Sequence, residues 1–167
     1  MEIPSIHPEL DRHSDLLDSS GCSIKLESLA LWFSTRQDKE IAEPIQAATI
    51  LFAADHGVAG TMDIDDNSTI ELIRQAGAAD SAIAALCKEA DSPLHIVDVG
   101  VAGSLADIDA VEHAKVRSKG AADITLEPAM SQADYWESVG IGEEMANRAI
   151  AAGANLLIAS SIACGDR

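Results

Sequence analysis

The run of small and apolar residues from Ala47 to Ala54 constrains the fold more than any other stretch of this sequence. A short run that is apolar on both faces and stops where polar residues collect is typical of a buried strand in a parallel sheet. Asp55, His56 and Gly57 follow the run directly. Because ligands of open α/β sheets bind beyond the carboxyl ends of such strands, these three residues are predicted to lie at a binding site.

Two later runs have the same character. Residues 94–101 are apolar and β-branched and have a glycine near their end, and residues 154–161 end in two serines. Longer segments of helical character separate the three runs, which predicts an α/β fold: a Rossmann-like parallel sheet with crossover helices. An amphipathic pattern over residues 23–36, and a helix around residues 8–17, add N-terminal helices to this sheet.

The chain is expected to divide into an N-terminal helical segment, residues 1–40, and a Rossmann-like α/β domain, residues 41–167. Within that domain, the positions of glycine and serine residues indicate where the predicted helices begin and end. Helices are predicted over residues 68–74, 81–90, 131–140 and 143–152, the third of them capped by Ser131, and a short strand is predicted over residues 115–117.

Charge and cysteine content narrow the classes of function. The net charge of −17 repels phosphate backbones and anionic lipids, so nucleic acids and membrane surfaces are poor partners. Cys22, Cys87 and Cys164 have no metal-ligand spacing and imply no disulfide framework. The first residues lack a basic region followed by an apolar core, and no apolar run is long enough to span a bilayer. We therefore expect a cytoplasmic protein.

Several polar residues have both a functional and a structural interpretation. His56 either lines a ligand or holds its own loop by hydrogen bonds. Asp98 is an acidic group within an apolar run, and we favour a hydrogen-bonded structural carboxylate over a catalytic one, because an unpaired buried charge is costly. Ser160 and Ser161 either hydrogen-bond a ligand or cap the following turn.

Five segments, spread along the chain in order, carry a resemblance to a known family. They are residues 20–27 (Ser-Gly-Cys-Ser-Ile-Lys-Leu-Glu), 52–58 (Phe-Ala-Ala-Asp-His-Gly-Val), 77–79 (Gly-Ala-Ala), 96–100 (Ile-Val-Asp-Val-Gly) and 128–131 (Pro-Ala-Met-Ser). In this order they resemble segments of the nicotinate-nucleotide:dimethylbenzimidazole phosphoribosyltransferases, enzymes that make the lower-ligand nucleotide of cobalamin. The resemblance covers residues 15–160 and implies the same Rossmann-like fold.

The resemblance also implies a reaction and its ligands. In the family, a benzimidazole nitrogen attacks the ribose carbon that bears nicotinate, and a glutamate takes the benzimidazole proton. A glycine-rich loop that opens a helix holds the phosphate. Nicotinate mononucleotide and a benzimidazole-like base are thus the implied ligands, with no metal or redox cofactor. Together with the strand-end argument, this assigns substrate binding to Asp55, His56, Gly57, Asp66, Arg74, Ser160, Ser161 and Gly165.

The sequence departs from the family pattern at functional positions. Asp66 and Arg74 stand where the family has a serine and a glutamine near the benzimidazole. In the loop after the third strand, Ser161 replaces a glutamate, and Gly165 alone keeps its glycine. The family's catalytic glutamate lies near the C-terminus of a longer chain, so no catalytic residue is assigned here. We expect the Rossmann-like domain to be incomplete relative to the family and this chain to be inactive alone.

Two other functions are compatible with the same residues. The first is a non-catalytic module that binds a small molecule or assembles with another subunit. A shortened relative would expose a sheet edge and apolar surface, so a homodimer or pairing with another subunit is expected. The second is a different small-molecule enzyme that uses Asp55, His56 and Asp66, an alternative that the fold alone cannot support.

Overall fold

The computed structural model describes residues 24–39, 41–61 and 68–163, and the chain divides into two compact units, residues 1–45 and residues 46–167. In the first unit, helix α1 runs over Ile24–Arg36 and agrees with the amphipathic segment predicted there. Arg36 lies over the ring of Trp32, 5.8 Å from its centroid. The helix predicted around residues 8–17 lies outside the described residues.

The second unit is built on a four-stranded parallel sheet, which confirms the predicted Rossmann-like α/β fold. Its strands are β1 (Ala47–Ala54), β2 (Leu94–Gly100), β3 (Val111–His113) and β4 (Leu156–Ile162). The strand order is β3-β2-β1-β4, so β1 is central and its carboxyl end lies between those of β2 and β4. The bounds of β1 are those that its apolar run predicted.

Helices connect the strands on both sides of the sheet. Helices α2 (Ser68–Gly77) and α3 (Ala82–Glu89) lie between β1 and β2 in the chain, and α4 (Gln132–Ala151) lies between β3 and β4. As predicted, the chain breaks between α2 and α3. The structure adds that Ser81 caps α3, since its side chain accepts the N–H of Ala84. Among the described residues, no helix is both long and apolar enough to cross a membrane.

Two separate core clusters explain why β1 is apolar along its whole length. Leu51 and Ala53 pack in one cluster with Ile73 of α2, whereas Ile50 packs in the other with Met145 of α4. Successive side chains of a strand point to opposite faces of the sheet, so burial of both faces requires apolar residues at consecutive positions.

The strand predicted over residues 115–117 is wrong, because the third strand is β3, which pairs with β2 in the register Ile96–Val111. The chain does continue beside β2 after β3 ends. The N–H groups of Ala114 and Val116 donate to the carbonyl oxygens of Asp98 and Val99 at 2.9 and 3.1 Å. These bonds fix the segment that follows, although it is not a regular strand.

The break predicted between residues 140 and 143 is also wrong, because α4 is one continuous helix of 20 residues. Gly140 and Gly142 lie in its interior, where each glycine costs about 1 kcal/mol relative to alanine. Packing of Met145 against Ile50 and Val97 of the sheet outweighs that local cost. Ser131 caps the helix as predicted.

Candidate functional site

A cavity of about 330 Å³ lies beyond the carboxyl ends of β1 and β2. This is the edge at which open α/β sheets bind their ligands. Its apolar walls are formed by Ala54, Val99, Val116, Ala121, Ala129 and Met130. Its remaining lining residues are Asp55, His56, Gly100, Arg117, Gly120, Asp134 and Ser138. The cavity is therefore mainly apolar, with a few polar groups at defined positions.

Glycines let three loops meet beneath this cavity. Gly120 has a φ of +74°, and a Cβ atom there would overlap the carbonyl oxygen of Asp55. That oxygen accepts a hydrogen bond of 3.0 Å from the N–H of Ala121. A Cβ atom at Gly57 would likewise overlap the backbone of residues 121–123. Since larger residues would separate these backbones, Gly57 and Gly120 bring the segment after β3 onto the end of β1.

Asp55 joins the end of β1 to the loop that follows β2. Its Oδ2 atom accepts a hydrogen bond of 2.6 Å from the N–H of Ala102, and its own N–H donates to the carbonyl oxygen of Gly100 at 3.1 Å. One carboxylate oxygen is thus committed to a structural hydrogen bond. The neighbouring His56 lines the cavity together with Asp55.

Asp98 also stabilises the loop that follows β2. It is fully buried, and its Oδ1 atom accepts hydrogen bonds from the N–H groups of Gly100 and Val101 at 3.1 and 2.9 Å. Its Oδ2 atom lies 3.4 Å from Nζ of Lys115, which itself donates to the carbonyl oxygens of Val101 and Gly103 at 2.6 and 3.0 Å. These contacts agree with a structural carboxylate, the interpretation favoured from the sequence.

Arg117 and Asp134 form the charged side of the cavity. Nη1 of Arg117 lies 3.4 Å from Oδ2 of Asp134 and 3.4 Å from the carbonyl oxygen of Ala129. Asp134 also belongs to the capping box of α4, since Oδ2 accepts the N–H of Ser131 at 2.8 Å. That backbone hydrogen bond is the main cause that lowers the pKa of Asp134 below its ordinary value, and Arg117 contributes less.

The other residues assigned from the sequence lie elsewhere. Arg74 does not line this cavity, and its guanidinium lies 2.7 Å from Asp107 and 3.5 Å from Glu71. The hydrogen bond from Arg74 is the main cause that lowers the pKa of Asp107. Ser160 and Ser161 belong to β4, and neither lines the cavity. Asp66 and Gly165 lie outside the described residues.

Sequence reasoning missed several lining residues, Arg117, Gly120 and Asp134 among them. Residues 102–123 lack periodicity, so nothing in their pattern places them against β1 and β2. An isolated glycine, Gly120, in that segment and the Ser131 cap were the available signals. Among the residues that the structure describes, no three His, Cys, Asp or Glu side chains are grouped closely enough to hold a metal ion.

Fold and cavity together define a Rossmann-like α/β protein with a small, mainly apolar cavity at the carboxyl edge of its sheet. A phosphoribosyltransferase family model matches residues 7–167. The chain belongs to the nicotinate-nucleotide:dimethylbenzimidazole phosphoribosyltransferase family, as its sequence segments predicted.

Individual relatives agree with this assignment. The nicotinate-nucleotide–dimethylbenzimidazole phosphoribosyltransferase of Chromobacterium violaceum is 36% identical over 157 residues, which are 93% of this chain and 45% of that protein. The Mycobacterium leprae enzyme of the same name is 30% identical over 158 residues. The crystal structure of CobT from Thermus thermophilus superposes with a TM-score of 0.77 at 32% identity, covering 84% of this chain and 43% of that one. The chain thus spans less than half the length of these relatives.

Proposed function

We propose that this chain binds a benzimidazole-type base in the cavity, as part of the transfer of phosphoribose from nicotinate mononucleotide to that base in cobalamin lower-ligand synthesis. One observation supports the proposal above the others. Three segments that resemble the family converge on this cavity: Ala54, Asp55 and His56 at the end of β1 and just after it, Val99 and Gly100 at the end of β2, and Ala129 and Met130 before α4. These segments are far apart in the sequence, so their convergence reflects the fold.

The cavity walls suit a flat, mainly apolar ring. Ala54, Val99 and Met130 line it, and a methionine thioether makes favourable contacts with aromatic rings. Such a pocket needs few polar groups to fix the orientation of its ligand. In this proposal His56 supplies one of these polar groups, because one of its ring nitrogens forms a hydrogen bond with a nitrogen of the azole.

The transfer reaction needs a proton acceptor as well as a binding site. One azole nitrogen bonds to the ribose carbon, the bond from that carbon to nicotinate breaks, and the proton on the other nitrogen must leave. Asp55 is committed to the N–H of Ala102, and Asp134 is a weak base because its pKa is lowered. Neither of the described carboxylates that line the cavity is therefore a favourable general base, and we propose that the chain binds the base without rapid turnover. A positioned general base contributes about 10²–10⁴-fold.

A titration with 5,6-dimethylbenzimidazole tests the binding half of this proposal. Ala129→Phe places a ring in the cavity, whereas Ala133→Phe makes the same change at an exposed position on the first turn of α4. We expect wild type and Ala133→Phe to bind with equal affinity and Ala129→Phe to lose at least about tenfold, which is 1.4 kcal/mol. Equal loss in both variants, or no binding to wild type, would contradict the site.

A product assay tests the catalytic half. The purified chain is incubated with nicotinate mononucleotide and 5,6-dimethylbenzimidazole, and the riboside phosphate is sought by mass spectrometry. We expect no product above a boiled control. Product above that control would contradict this half of the proposal and would make His56 the first residue to substitute in search of the base.

A non-catalytic module that binds the same base is the second candidate, favoured by the commitment of both lining carboxylates to structural hydrogen bonds. The two candidates differ in whether nicotinate mononucleotide also binds. A cytoplasmic location belongs to this proposal, in keeping with the buried free thiol of Cys87.

A further inference from the structure

We propose that Arg117 binds an anionic group of the nucleotide donor at the mouth of the cavity, exchanging its present contact with Asp134 for that group. This inference rests on the proposed function, because it assumes that the cavity also receives a nucleotide. It adds a binding residue that the sequence segments did not indicate.

The charges of the residues that line the cavity favour this role for Arg117. Among the described residues that line the cavity, Arg117 is the only arginine or lysine, and its guanidinium is a cation that donates hydrogen bonds to anions. The lining also contains Asp55 and Asp134, and the whole chain has a net charge of −17. A mononucleotide would enter against that field, so an arginine in the cavity is the group that can hold it.

The contacts of Arg117 also leave it able to bind a ligand. Both contacts of Arg117 are 3.4 Å long and use the same nitrogen, Nη1. Arg74 and Arg148 each have one tighter ion pair, in which a guanidinium nitrogen lies 2.7 Å from a carboxylate oxygen. A guanidinium has five N–H donors in a planar fork that matches a carboxylate or phosphate in a bidentate manner. The contacts of Arg117 with described residues use only Nη1, so they involve few of its five N–H donors.

The exchange leaves no carboxylate unsatisfied. Asp134 keeps the 2.8 Å hydrogen bond from the N–H of Ser131 when Arg117 moves to a ligand. The capping box of α4 therefore holds Asp134 with or without the arginine. Because Asp134 competes with the incoming anion for the same guanidinium, removal of its charge strengthens anion binding.

The test compares two substitutions that remove the same charge. Arg117→Gln removes the cavity arginine, and Arg148→Gln removes an exposed arginine that pairs with Glu112 outside the cavity. Each is titrated with nicotinate mononucleotide and, separately, with the neutral 5,6-dimethylbenzimidazole. We expect Arg117→Gln to weaken mononucleotide binding about tenfold or more, with the affinity for the neutral base within about twofold of wild type. Arg148→Gln should leave both affinities unchanged.

Two analogues identify the anionic group. Nicotinamide mononucleotide keeps the phosphate and lacks the carboxylate, and nicotinate riboside keeps the carboxylate and lacks the phosphate. The analogue whose affinity falls in Arg117→Gln carries the group that the arginine binds. Asp134→Asn, which retains an oxygen acceptor for the cap, should tighten mononucleotide binding about twofold or more.

The outcomes separate this inference from the proposed function. If wild type binds neither compound, both are overturned. If wild type binds the mononucleotide and Arg117→Gln binds it equally well, the role of Arg117 is overturned and the proposed function stands. Parallel loss of both ligands in Arg117→Gln, or weaker mononucleotide binding in Asp134→Asn, also overturns the role of Arg117.

Discussion

At the scale of single residues, Gly120 controls whether the loops beneath the cavity can meet. Its φ of +74° is strained for any other residue, and a Cβ atom would overlap the carbonyl oxygen of Asp55. We expect Gly120→Ala to lower the free energy of unfolding by about 1–3 kcal/mol. Urea unfolding measures this change. Gly140→Ala is the control, because no atom lies near the added methyl group in α4, and it should raise stability by about 0.5–1 kcal/mol. Equal effects at both glycines would refute this assignment.

Asp98 is the second residue on which the site depends. It is fully buried, accepts two backbone N–H groups and faces Lys115. We expect Asp98→Ala to cost about 3–5 kcal/mol in urea unfolding, because two N–H groups and the cation of Lys115 lose their partner. Asp98→Asn keeps one acceptor oxygen and should cost less. A loss below about 1 kcal/mol for Asp98→Ala would show that the loop does not need this carboxylate.

At the scale of elements, the bounds of a strand or helix could be predicted from the sequence where its hydrophobic pattern is compatible with a single structure. The run over Ala47–Ala54 predicted β1 to the residue, because both faces of that strand are buried. The interruption predicted in α4 failed, because packing of Met145 against the sheet overrides the low helix propensity of Gly140. The three-residue strand β3 is too short to show a period of its own.

The candidate site likewise contains residues that the sequence pattern could predict and one that it could not. Asp55 and His56 could be placed at the cavity because they end a recognisable strand. Arg117 could not, because its position depends on backbone bonds between its segment and β2, and on the close approach at Gly120. Those contacts are non-local, and no periodic pattern of residues accompanies them.

The start of α4 gives a prediction about pH. The pKa of Asp134 is lowered from its ordinary value of 3.8, chiefly by the N–H of Ser131. A carboxyl with a lowered folded pKa stabilises the fold above that ordinary value, and the stabilisation is lost as the pH falls through the folded pKa. Wild type should therefore exceed Asp134→Asn in urea stability at about pH 6, and the difference should shrink towards about pH 3. A difference that grows on acidification would contradict the capping box.

At the scale of the whole molecule, the edge of the sheet predicts association. β4 pairs with β1 on one side, and among the described residues no strand pairs with its other side. Leu157 and Ile158 of this strand are 37% and 45% exposed. Unpaired edges and exposed apolar side chains favour contact with another chain. We expect a dimer or larger assembly by sedimentation equilibrium at about micromolar concentration, weakened by Ile158→Lys and unchanged by Ala85→Lys on α3. A monomer under these conditions would contradict this expectation.

We expect segments that lie far apart in the sequence to build one base-binding cavity. A crystal structure of the chain with 5,6-dimethylbenzimidazole at saturating concentration tests it most directly. We expect density for the ring against Ala54, Val99 and Met130, with an azole nitrogen within hydrogen-bonding distance of His56. Two results would contradict this expectation. The first is density for the base at another site, and the second is a cavity without ligand density in the crystal although the base binds in solution.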